Sequence, residues 1–124
     1  MEEVMRELHN LNKRLDYMEF RQDLLFNNTN VNRILYDYKV TKKQYNDIMD
    51  EMDRLRAKIY NGEQISHCEF ENNIRSIMDN RKDIDYHFCE YISKAFMEDG
   101  SWEEVFPTLY GDMPKYKHFL ENRD

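Results

Sequence analysis

A chain of 124 residues suits one domain, and 40% hydrophobic with 14% aromatic content supplies a core and argues against disorder. The net charge of −7 argues against a general nucleic-acid binder, because the longest basic runs are pairs, Lys13-Arg14, Lys42-Lys43 and Arg81-Lys82. Two cysteines are too few for a secreted disulfide framework, and the acidic start has no signal-peptide pattern. No window approaches the roughly 18–20 apolar residues of a membrane span. The expectation is a cytoplasmic protein that contacts neither nucleic acid nor membrane directly and carries no cofactor.

The first element is a helix from about Glu2 to Phe26. Val4, Leu8, Leu11, Leu15, Met18 and Leu25 recur at alternating spacings of four and three, with polar Gln22 in the remaining slot. That is a heptad seam of about three repeats, one apolar stripe for a partner helix to cover. Fully buried, its six apolar positions give a gross gain of roughly 9–18 kcal/mol. Association costs on the order of 4–15 kcal/mol, so a free-standing coil of this length is marginal. The seam needs help from the chain's own later helices or from a second copy. Arg14 and Glu19 fall at g and the following e, where they attract across a parallel pair, and Gln22 is suited to setting register. Leu24 and Phe26 widen the stripe, which predicts that its C-terminal end also packs on the domain. A homo-oligomer follows, with a dimer favoured.

Asn27-Asn28-Thr29-Asn30 ends this helix, and residues 31–124 read as a helical body. Val31 to Tyr38 is a short apolar segment. Thr41 with Gln44 forms a capping box for a helix carrying Tyr45, Ile48, Met49, Met52, Leu55 and Ile59, closed by Tyr60-Asn61-Gly62. Ser66 with Glu69 repeats the device ahead of Phe70, Ile74, Ile77 and Met78. The next helix starts near Asp83 or Asp85 and presents Phe88, Ile92, Ala95 and Phe96 before Gly100. Ser101-Trp102-Glu103-Glu104 offers a third box, opening a turn or two that Pro107 should terminate. Asp112 is a candidate cap for a last helix with Pro114 in its first turn and Tyr116, Phe119 and Leu120 inward. Gly62, Gly100 and Gly111 all sit where periodicity stops, matching left-handed helix ends. With four Val, three Thr and no sustained alternation, the fold class is all-α: a long N-terminal helix plus four or five shorter amphipathic helices in a multihelical bundle.

This order of elements resembles the YhaI-like family of small uncharacterised Bacillus proteins. The matching pieces are Leu15, Tyr17, Gln22, Leu24 and Leu25 in the leading helix, and a Leu-Tyr segment followed by the helix from Thr41. The His67-to-Phe70 helix start and the turn Glu103-Glu104-Val105-Phe106 after Gly100 complete the match. The resemblance implies an all-helical, oligomeric fold and no catalytic residues.

Candidate chemistry is sparse. His67-Cys68 and His87-Phe88-Cys89 supply the residue types of a tetrahedral zinc site, but neither cysteine has a partner two to four residues away. Residues 87 and 89 also diverge by roughly 200° on a helix. Cys68 near a helix start is a weak candidate nucleophile, opposed by Glu69 and Glu71. The charges from Asp47 to Lys58 read as a solvated helix face. Trp102, Phe106, Tyr110 and Tyr116 crowd the C-terminal region, either closing the base of the core or standing exposed as partner-binding anchors.

Two function classes remain. One is a non-catalytic interaction or regulatory module. Twelve Asn, nine Tyr and two Ala suggest AT-rich coding, as in a phage or prophage accessory protein that binds and inhibits a basic host protein such as a toxin-like ribonuclease or defence factor. The alternative is a small enzyme or ligand binder using an inter-helix pocket with His or Cys.

Overall fold

A computed structural model describes residues 1–122. Seven helices follow in order: α1 (Glu2–Phe26), α2 (Asn30–Asp37), α3 (Lys42–Tyr60), α4 (His67–Ile77), α5 (Tyr86–Glu98), α6 (Val105–Tyr110) and α7 (Pro114–Glu121). No strand occurs among the described residues. The all-α reading holds, with α1 the longest element, but six shorter helices follow it among the described residues rather than four or five, because the short segment after Thr29 is a helix of its own, capped by the Thr29 side chain.

The body is assembled around α5. Its apolar residues are spaced so closely that most of its circumference is covered, burying Phe88, Cys89, Glu90, Ile92, Ser93, Ala95, Phe96 and Met97. Helices α2, α4 and α6 pack directly on it, α3 packs on α4 and α6, and α1 joins chiefly through α2. Leu35, Ile48, Met52, Phe70, Ile74, Phe106 and Tyr110 complete the sealed interior.

Local chemistry sets the helix ends. Thr41 and Gln44 form the reciprocal capping box the spacing predicts. Ser66 accepts from the backbone N–H groups of Cys68 and Glu69, but Glu69 does not complete a box. Its carboxylate instead reaches Arg54, 3.2 Å away on α3. Asp85 rather than Asp83 caps α5, because Arg81 holds Asp83 at 2.6 Å. At the far end of α5, Asp99 accepts from the backbone N–H groups of Asn30 and Val31 at 3.2 and 2.9 Å. One carboxylate thereby supplies acceptors for the start of α2 and ties it to the centre of the body.

The C-terminal third departs from the sequence reading. No third box forms: α6 begins after Glu104 without a side-chain cap, since the Glu104 carboxylate is taken by Arg56. Ser101 instead donates its backbone N–H to Phe96 at 2.8 Å, closing α5 through Gly100 at φ +84°. Pro107 lies in the first turn of α6, where its missing N–H costs nothing, so it does not end the helix. Asp112 does not cap α7 either; Met113 occupies that position and Pro114 follows it. Gly62 and Gly100 are left-handed as expected, but Gly111 is not, at φ −62°. Glycine is needed there because a Cβ would run into the Pro107 carbonyl.

Candidate interaction surface

The two sides of α1 meet different surroundings. Tyr17, Phe20, Arg21 and Leu24 recur at spacings of three, one and three, which places them on one side of the helix. All four are at least partly covered by the body. Phe20 lies 6.4 Å from Tyr45 between ring centroids. The Arg21 guanidinium sits 3.9 Å over the Tyr36 ring and donates to the Tyr36 carbonyl at 3.2 Å. With Leu8, Leu15 and Gln22 at position a, and Val4, Leu11, Met18 and Leu25 at d, these docked residues occupy c, f and g. The body therefore hangs on the outer side of the helix, and the a/d stripe faces away from it.

That stripe is bare. Val4, Leu8, Leu11, Leu15, Met18 and Leu25 are between 49% and 62% exposed. Arg14, Glu19 and Gln22 beside or within it are exposed as well. The expected packing of the C-terminal end on the domain is met by Leu24 but not by Phe26, which is 87% exposed. Leu24 at c turns toward α2, whereas Phe26 at e flanks the bare seam. Scattered apolar residues on a surface are ordinary, whereas six large ones aligned over about six turns, interrupted only by Gln22, form the kind of contiguous exposed patch that is uncommon on a solvated surface.

The C-terminal aromatics behave differently. Phe106 and Tyr110 are fully buried and close the base of the core, so they present nothing to a partner. Tyr116 is half-buried, with its ring edge-on to Phe106 at 4.9 Å. Trp102 is half-buried at φ +45°. Its indole N–H donates to Asp53 at 2.8 Å and its ring meets Phe96 edge-on at 5.0 Å, contacts that offset a left-handed backbone. Trp102 also borders a groove of about 360 Å³ with Tyr45, Met49 and Phe96. The carboxylate at its rim, Asp99, is already engaged by α2.

Sequence reasoning missed a polar network under α7. Glu90 on α5 is only 1% exposed. It accepts from the Tyr116 hydroxyl at 2.6 Å and pairs with Lys115 at 2.7 Å. Glu71 on α4 accepts from the Tyr110 hydroxyl at 2.7 Å, and His67 Nδ1 lies 3.5 Å from it. Burial and the neighbouring carboxylates push both tyrosine hydroxyls well above their usual range. No buried side-chain polar atom among the described residues lacks a partner; Glu71 ties α4 to α6, and Glu90 ties α5 to α7. Glutamates spaced among apolar residues were the network's only trace in the sequence, and the partners come from 26 and 39 positions away.

The histidines and cysteines do not converge. Cys68 is exposed with its sulfur 3.8 Å from His67 Nδ1, and Cys89 is buried. Burial pushes the Cys89 thiol up to about 12, which keeps it protonated at neutral pH. His87 leans on Asp85 at the start of α5. No group of three His, Cys, Asp or Glu among the described residues has metal-holding geometry. No described helix is long and apolar enough to cross a membrane.

Comparison with known proteins gives no match to a family model, a curated protein or a solved structure. The YhaI-like resemblance rests on the order of helices and caps alone.

Proposed function

We propose that the chain is a non-catalytic helical interaction module that self-associates through the bare face of α1 and carries an acidic body for recognition of other proteins. One observation supports this above the rest: an apolar heptad stripe stands exposed along the whole of α1, including the stretch from Tyr17 to Leu24 where the opposite side of the helix is docked on its own domain. A monomer gains nothing from keeping six large apolar side chains in register in water, whereas a second helix would bury them.

The body's role follows from charge. The whole chain's balance of −7, most of which lies outside α1, steers encounters toward basic proteins. A phage-type accessory factor that holds and inhibits a basic host protein would use such a surface.

Light scattering on the purified chain tests the assembly. The expected mass is a multiple of the 15.4 kDa chain. Leu15→Asp puts a charge at the centre of the seam and should return the single-chain mass while the body keeps its helical signal. A wild-type protein that stays at single-chain mass at every concentration refutes the proposal.

A further inference from the structure

We infer that the occupant of the bare α1 face is a second copy lying parallel and in register, with Phe26 of each copy covering the Arg21–Tyr36 stack of the other. This rests on the self-association proposed above and assigns its geometry.

Four observations converge on that arrangement. The first is room. The body is attached through positions c, f and g of α1 and lies on the outer side of the helix. Two copies joined at a and d therefore carry their bodies on opposite flanks of the pair.

The second is area. Eight apolar side chains per copy are exposed, the six of the seam with Met5 and Phe26. At roughly 60–120 Å² each, a pair has about 1,000–1,900 Å² to bury. Specific interfaces need about 1,200–2,000 Å².

The third is the match along the seam. In a parallel pair Gln22 meets Gln22, and the two amides can bond to one another. In the antiparallel register that aligns the seams end to end, Gln22 faces Val4 and its amide is left against a methyl surface. The flanking charges agree. Parallel helices place g beside the following e of the partner, which brings Arg14 to Glu19 twice over. The antiparallel register brings Arg14 to Arg14, and its compensating contact, Glu7 to Arg21, is weakened because Arg21 is already spent on Tyr36.

The fourth is Phe26, the most exposed large aromatic on α1. Within its own chain nothing explains it. In the parallel register position e at Phe26 lies beside position g of the second copy, which is Arg21. That guanidinium is already held 3.9 Å over the Tyr36 ring, with Tyr17 beside it, and its remaining exposed part offers an ordered cationic surface for a ring. The antiparallel register carries Phe26 past the start of the other helix into solvent.

Cross-linking tests orientation and contact together. Cys68→Ser removes the exposed thiol, and buried Cys89 stays in place. In that background Met18→Cys under mild oxidation should give a disulfide-linked dimer of twice the chain mass, because residue 18 faces its own counterpart. Leu25→Cys should do the same, and serves if Met18→Cys weakens the seam. In an antiparallel pair the residue-18 positions lie about 15 Å apart. A mixture of Leu8→Cys and Met18→Cys proteins would then link 8 to 18 instead. Phe26→Ala should weaken association about tenfold, and Tyr36→Leu, which unseats Arg21, should remove most of that penalty. A single-chain mass at all concentrations overturns both this geometry and the proposed self-association. A dimer linked 8 to 18, or a trimeric mass, overturns the geometry alone. A parallel dimer indifferent to Phe26→Ala overturns the Phe26 contact.

Discussion

Helices α1 and α5 use apolar residues to opposite ends. In 13 residues α5 buries eight side chains, whereas in 25 residues α1 buries only Leu24. Both are amphipathic on paper. The difference lies in how the apolar positions are distributed around the axis. On α5 they spread widely enough to serve neighbours on several sides. On α1 they split into two narrow stripes, a short one docked on α2 and the body, and a longer one left for something else. A wide apolar arc specifies a core helix, and a narrow period-3.5 stripe specifies a seam.

Truncations of matching side chains should separate the two roles. Phe88→Ala on α5 empties a sealed site, and urea denaturation should show a loss of about 3–5 kcal/mol. Tyr116→Phe removes one donor from the buried Glu90 carboxylate while Lys115 still compensates it. The expected cost is about 1–3 kcal/mol, read as lower hydrogen-exchange protection in α7 and lower global stability. Leu11→Ala on α1 should leave unfolding of the body within about 0.5 kcal/mol of wild type, yet shift the dissociation midpoint to higher protein concentration. Trp102, held in the body by Asp53 and Phe96, follows the first two changes by fluorescence and is blind to the third. If Leu11→Ala destabilised the body as Phe88→Ala does, the division between core helix and seam would fail.

Much of this was legible before any coordinates. Periodicity located the long helix and its stripe, and Thr41 and Ser66 mark helix starts because their short oxygens reach orphan N–H groups, while the choice between Asp83 and Asp85 turns on Arg81, which holds the first. The failures cluster where a long-range partner outbids a local one. Glu104 has capping chemistry but is taken by Arg56, and Glu69 is drawn to Arg54. Asp112 had the right residue type, but Pro114 at the first helical position sets the boundary one residue later. Phe26 was read as part of a docked surface because spacing alone does not distinguish position c from position e when the direction of the body is unknown. Likewise, nothing local reveals that Glu90 will meet a lysine and a tyrosine from the next helix but one.

The bare length of α1 has a further consequence for how such a protein would respond to its own abundance. Every side chain from Glu2 to Asp16 is exposed, and the body first touches the helix at Tyr17. A segment of that length is close to the limit at which an isolated helix persists in water, about 12–15 residues. Its winding and its pairing would then be one event. Dilution would fray the arm as well as release it, and crowding copies together would wind it again. Far-ultraviolet ellipticity should rise with protein concentration, making the arm a gauge of how many copies are near.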